Sequence, residues 1–223
     1  MMTTRRFFFF FALVFLFSSL SMAAPGDPGS PDSLHAVIER LEKKYAGASF
    51  SADFFQTSEI KALDIQDSAR GRGYFKAPGK MRWEYDEPEK QLIVTDGRTL
   101  WIYHPKDRQV MTGNSPTFFG EGKGGSFLMF IKSMRERFVV SQEKAPSPDV
   151  FAIRLEPVKK ETDTAFIRLF ISKDKHEVSE IITQNVYGDE TSISMRNVRF
   201  GRTFDDSMFT FSIPDGVDVV RLD

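Results

Sequence analysis

Leu92-Ile93-Val94-Thr95-Asp96-Gly97-Arg98-Thr99-Leu100-Trp101-Ile102-Tyr103 is two short apolar runs joined across an Asp-Gly pair. Asp-Gly supplies the positive backbone φ that a tight turn between antiparallel strands needs, so this stretch reads as a β-hairpin. Just upstream, Met81, Trp83 and Tyr85 alternate with Arg82, Glu84 and Asp86, the period of a strand with one buried face. Ala77-Pro78-Gly79-Lys80 turns the chain before that strand. Further back, Phe50, Ala52 and Phe54 alternate with Ser51, Asp53 and Phe55. Tyr74-Phe75 follows Gly71 and Gly73, and glycines inside a strand pattern predict a bulge or a bend.

The same reading extends to both sides. Before the first strand, Leu34, Val37, Ile38, Leu41 and Tyr45 fall at helical spacing, with Asp32 as the expected N-cap and Gly47 as the stop. After the hairpin, residues 113–126 are rich in Gly, Ser, Thr and Pro and read as a loop, and residues 127–131 read as a short buried helix. Strands follow at 138–142, 150–156, 165–172, 177–187 and 191–200, with Phe209-Thr210-Phe211 as a closing strand. Lys173-Asp174-Lys175 and Gly188-Asp189 are the turns between them. Consecutive strands with short turns make an antiparallel meander, not βαβ units. The expected class is α+β: a strongly curved, unclosed antiparallel sheet in two halves, split by a loop-and-helix insertion, with helices across its concave side.

The N-terminus reads as an export signal. Arg5 and Arg6 precede an apolar run from Phe7 to Phe17, and Ser21-Met22-Ala23 offers small residues at a cleavage site. Residues 1–23 are therefore expected to be a cleaved signal peptide, 24–31 a flexible Gly/Pro/Ser leader, and 32–223 a single domain. Without Arg5 and Arg6 the chain has 28 basic and 31 acidic residues, a formal charge of −3, which argues against a nucleic-acid partner. The chain has no cysteine, which excludes disulfides and thiolate metal sites. It also excludes acylation at a lipoprotein-type cleavage site, so the mature protein is expected to be soluble and not lipidated.

Chemical motifs are weak. His35, His104 and His176 have no metal-ligand spacing and read as exposed or loop histidines. Gly113-Asn114-Ser115-Pro116-Thr117 falls short of a nucleophile elbow and sits in an expected loop. Gly120-Glu121-Gly122-Lys123-Gly124-Gly125 matches a dinucleotide fingerprint by letter, but no βαβ unit surrounds it. Asp86-Glu87 and Asp205-Asp206 lie beside turn residues and read as solvated surface. No catalytic constellation, metal site or cofactor is expected. The 16 Phe that remain outside the signal segment, with two Trp, suit either a packed core or an apolar cavity.

Three stretches together resemble the outer-membrane lipoprotein carrier family, LolA. They are Phe50-Ser51-Ala52-Asp53-Phe54-Phe55-Gln56, then Gly71 through Trp83 with Tyr74-Phe75-Lys76-Ala77-Pro78-Gly79-Lys80-Met81-Arg82, and Ile93 through Tyr103. Phe209-Thr210-Phe211-Ser212-Ile213-Pro214-Asp215-Gly216-Val217 is similar to the family's closing segment, whereas residues 144–202 carry little of the likeness. The resemblance implies an unclosed β-barrel with a helical lid over an apolar cavity. It implies a periplasmic monomer that takes acylated lipoproteins from an inner-membrane ABC-type complex and passes them to an outer-membrane receptor. By position, Phe50, Phe54, Met81, Trp83 and Ile93 would face the cavity, closed by Leu41 on the first helix and by Leu128 and Phe130 in the lid. One position departs from the family: Ala77 stands where an arginine often latches the lid, and Arg82 and Arg72 are the candidates to replace it. The same half-barrel also serves lipid- or glycolipid-binding proteins and envelope-stress regulators, which are the competing expectation. A hydrolase built on the scattered acids is the competitor from another class.

Overall fold

In the computed structural model, residues 33–119, 128, 131, 134–159 and 163–222 are described. The expected signal peptide, the leader, Asp32, Phe130 and the glycine-rich stretch 120–125 lie outside them.

Helix α1 spans Leu34–Tyr45 and is started by Ser33, whose hydroxyl accepts from the Ala36 amide at 3.3 Å. A side-chain cap of this kind contributes about 1 kcal/mol. Val37, Ile38, Leu41 and Tyr45 form its buried face, and Gly47 leaves the helix at φ +69. The chain then runs through β1 (Ser49–Ile60), β2 (Ile65–Lys76), β3 (Lys80–Glu87), β4 (Gln91–Thr95), β5 (Thr99–His104) and β6 (Gln109–Asn114). Short helices α2 (Ser115–Phe119) and α3 (Met134–Arg137) precede the second half: β7 (Phe138–Glu143), β8 (Val150–Pro157), β9 (Thr164–Ser172), β10 (Val178–Asn185) and β11 (Glu190–Phe200). β12 (Asp218–Arg221) ends the element order.

All these strands form one sheet, ordered β12-β6-β5-β4-β3-β2-β1-β11-β10-β9-β8-β7. Each half is a meander, and the halves join where β11 pairs antiparallel with β1. β12 and β7 are the free edges, so the barrel is unclosed. Among the described residues no helix is long and apolar enough to cross a membrane.

Two bulges sharpen the curve. β11 carries an extra residue opposite Ser51–Asp53, with Asn197 at φ +52 donating through its amide to the Asp53 carboxylate at 2.8 Å. The β2–β3 register shifts between Arg70 and Gly71. At Gly71 an added Cβ would lie 1.9 Å from the Glu84 carbonyl oxygen, so only glycine allows β2 to approach β3 this closely. The bend expected from the two glycines is thus present.

Four expectations are corrected. Ser33, not Asp32, caps α1. Phe209-Thr210-Phe211 is no strand: Asp206–Phe209 is a 3₁₀ turn capped by the Asp205 carboxylate, which accepts from the Ser207 amide at 2.8 Å. Its Phe209 is plugged into the outer face of the sheet, where Phe211 meets Tyr103, and the closing strand is β12, parallel to β6. The expected loop starting at 113 begins with the last residues of β6 and the whole of α2. Consequently Ser115 stands at a strand-to-helix junction, buried, with its amide donating to the Arg98 carbonyl at 2.8 Å.

Candidate functional site: the concave face

Alternation along β1–β5 sends one set of side chains to the concave face. Phe50 and Phe54 from β1, Phe75 from β2, and Met81 and Trp83 from β3 are all buried there. Their rings interlock. Phe50 stacks on Phe75 with centroids 4.5 Å apart, Phe75 meets Trp83 edge-on at 5.3 Å, and Phe54 meets Trp83 at 4.6 Å and Tyr85 at 4.8 Å. Such pairs contribute about 0.5–1.5 kcal/mol each beyond area burial. Ile93 packs against this group from β4.

Leu41, fully buried, comes down onto the strands from α1, and Leu128, Ile131 and Met134 come from the segment between the halves. Of the eight residues expected at the site, Leu41, Phe50, Phe54, Met81, Trp83 and Leu128 therefore share one hydrophobic cluster, with Ile93 packed on it. Phe130 lies outside the described residues. The second half of the sheet adds Phe151, Ile153, Leu155, Ile167, Leu169 and Ile181 to the same cluster. None of these was singled out from the sequence, although Ile167, Leu169 and Ile171 show the period of two that could have found them.

Tyr45 fixes the end of α1. Its hydroxyl accepts from the buried Val178 amide at 3.0 Å, and its ring meets Phe50 and Phe200 edge-on. Burial pushes its phenol well above the usual tyrosine range. Tyr85 marks the polar limit of the apolar face: its hydroxyl donates to Gln56 Oε1 at 3.1 Å, and burial pushes its pKa up to about 12.

Outside this apolar seat, α1 is held by polar contacts at its flanks. Arg40 donates to His176 Nε2 at 2.7 Å, and Lys44 donates to the Lys175 carbonyl at 2.6 Å and to Glu177 at 2.8 Å. Arg135 of α3 donates to Glu42 at 3.1 Å and to His35 Nδ1 at 3.3 Å. Among the described residues, the two candidates for the lid latch have partners on the sheet. Arg82 pairs with Glu84 at 2.6 Å and donates to the Met208 carbonyl at 3.2 Å, while Arg72 pairs with Asp53 at 2.9 Å. Both belong to alternate positions whose side chains leave the sheet on its outer face, so neither reaches α1. Ala77 contributes only its amide, to the Ala48 carbonyl at 3.0 Å.

Comparison with known proteins agrees with this arrangement. The sequence profile of the outer membrane lipoprotein carrier protein LolA matches residues 47–212. An outer-membrane lipoprotein carrier protein of Chromobacterium violaceum is 30% identical over 209 residues, spanning 93% of this chain and 98% of that one. Its counterpart in Hahella chejuensis is 28% identical over 211 residues, spanning 92% and 93%. Among solved structures, a conserved protein of Thermus thermophilus superposes with a TM-score of 0.54 at 13% identity, covering 84% of this chain and 98% of that one, a likeness of fold alone. With a profile match over most of its length and an aromatic concave face under α1, the chain belongs to the outer membrane lipoprotein carrier family, LolA.

Proposed function

We propose that the chain is a periplasmic carrier that binds the acyl chains of lipoproteins released from the inner membrane and delivers them to the outer membrane. Its partners in this reading are the acylated cargo, an inner-membrane ABC-type releasing complex and an outer-membrane receptor. Residues 32–223 are the single carrier domain, and Leu41, Phe50, Phe54, Met81, Trp83, Ile93, Leu128 and Phe130 receive the acyl chains.

The observation that carries the reading is that α1 lies over the apolar concave face and is tied at its flanks by polar contacts. Partly exposed ion pairs such as Lys44–Glu177 and Arg135–Glu42 stabilise by at most about 1 kcal/mol each. The apolar face of α1 holds the helix down more strongly. Uncovering Val37, Ile38, Leu41 and Tyr45 costs roughly 6–12 kcal/mol, at about 1.5–3 kcal/mol per side chain. A bound acyl chain gains about 0.8 kcal/mol per buried methylene, so a dozen methylenes supply about 10 kcal/mol. The cost and the gain are the same size, which lets a chain displace the helix without an energy source and lets the helix expel the chain again.

A brominated fatty acid tests the location. Trp83 faces the concave side, whereas Trp101 alternates with the buried Leu100 and Ile102 and pairs with Val94 on the outer face. Bromine should quench Trp83 fluorescence in the Trp101→Phe protein and leave Trp101 unquenched in the Trp83→Phe protein. Equal quenching of both, or of neither, would contradict the site.

A further inference from the structure

β1 and β2 run well past the aromatic cluster, and their far end carries a second apolar surface. Gln56, bound to the Tyr85 hydroxyl, and Ser58, beside Thr191 at 3.4 Å, form a polar belt between the two. Beyond it, Ile60 and Ile65 stand opposite each other in the β1–β2 register, both exposed. The 3₁₀ turn Lys61–Leu63 joins them, with Leu63 64% exposed. The β10–β11 turn lies alongside and holds Val186 and Tyr187 at 57% and 75% exposure.

The two turns are tied together. The Lys61 amide donates to Asp189 Oδ1 at 3.0 Å, and Asn185 braces the neighbouring turn, its side chain donating to Asp189 Oδ2 at 2.8 Å and accepting from the Tyr187 and Asp189 amides at 2.9 Å. A single exposed apolar side chain needs no explanation, but five on two cross-tied turns make a preorganised contact surface. Beside them in sequence stand Glu59, Asp64, Asp67, Asp189 and Glu190 with Lys61, and the next turn, whose Asp163 carbonyl accepts from the Val186 amide at 2.8 Å, brings Lys159, so acids outnumber bases among the described residues. That acidic ring repels an anionic bilayer and disfavours a second copy, which would bring like charges together.

We propose that this tip is a docking knob for a partner protein that presents an apolar hollow ringed by lysine and arginine. The partner's place rests on the carrier reading: it is a membrane complex at which cargo is exchanged. The test compares the wild-type chain with the double variant Leu63→Lys, Tyr187→Lys, both exposed positions. Three quantities are measured: fatty-acid affinity, release of a tagged lipoprotein from inner-membrane vesicles with ATP, and transfer into outer-membrane vesicles. The expected result is unchanged fatty-acid affinity with at least a tenfold slower exchange at one of the two membranes. Asp64→Asn with Asp67→Asn should slow the same step at low salt and leave it unchanged at high salt. Equal rates in wild type and double variant overturn the docking knob and leave the carrier reading standing. Failure of the wild-type chain to take up any lipoprotein overturns the carrier reading, and the knob falls with it. Wild-type binding to anionic phospholipid vesicles that the variant loses, or a wild-type dimer that the variant dissociates, also overturns the proposal by naming another occupant.

Discussion

Replacing Tyr45 by Phe removes one oxygen from the joint between α1 and the second half of the sheet, and it isolates the hydrogen bond that holds the helix down. The ring and its edge-on contacts with Phe50 and Phe200 stay, so no cavity opens. What is lost is the acceptor for the Val178 amide at a fully buried position. A buried donor left without that acceptor costs about 1–3 kcal/mol. Global stability should fall by that amount in chemical denaturation. If α1 must lift for an acyl chain to enter, the same free energy appears as a larger fraction of binding-competent protein, and apparent affinity rises with that fraction. One to 3 kcal/mol corresponds to roughly a 5- to 150-fold gain. The assay is a fluorescent fatty-acid titration of Tyr45→Phe beside wild type, with amide hydrogen exchange of α1 as the structural readout. Faster exchange in 34–45 together with tighter binding is expected. A loss of stability with unchanged affinity would refute the idea that α1 is the element that moves.

Gly71→Ala should destabilise by about 3 kcal/mol or more, the upper end for overpacking, because the new Cβ meets the Glu84 carbonyl oxygen and the Phe54 ring; thermal unfolding reads it. Hydrogen bonds from Lys76 and Lys80 hold the Asp206 carboxyl down at about 2. Its contribution to stability is therefore complete above the ordinary carboxylate range and lost as pH falls toward 2, so Asp206→Asn should flatten the acid limb of a Tm-against-pH curve. The Tyr85 phenol, raised to about 12 by burial, acts with the opposite sign. Stability is intact below the ordinary tyrosine pKa and declines as pH rises from there toward 12, and ultraviolet titration should show Tyr85 ionising only as the fold opens. A Tyr85→Phe protein that loses titration amplitude at the ordinary tyrosine pH would refute this.

The first half of the molecule was legible because its strands have one buried face and tight turns. Thr95-Asp96-Gly97-Arg98 makes a two-strand turn in which the Asp96 carboxylate accepts from the Arg98 and Thr99 amides at 2.8 Å, a local chemistry that sequence shows directly. Phe50, Phe54 and Trp83 follow from the same period of two. Residues 65–70 of β2 escaped notice because they bury neither face and hold their place through pairing with β1. β6 was missed for a related reason: Val110 alone in it is fully buried, and β12 completes its pairing from more than a hundred residues away. The Phe209–Phe211 segment has the composition of a strand, but the Asp205 cap and the outer-face seat for Phe209 win over propensity. The polar contacts around α1 could not be read at all, since Arg40 meets His176 and Arg135 meets Glu42 only after both halves of the sheet have closed.

The most direct test of the carrier reading is lipoprotein release. Inner-membrane vesicles bearing a tagged lipoprotein and an ABC-type releasing complex are mixed with ATP and the mature chain, wild type or Trp83→Glu. The carrier reading requires the lipoprotein to appear in the soluble fraction bound to the wild-type chain, and the variant, with a charge at the centre of the aromatic cluster, to leave it in the membrane. No release by wild type, while a fatty acid still binds beside Trp83, would contradict lipoprotein as the cargo and point to another envelope amphiphile such as a glycolipid.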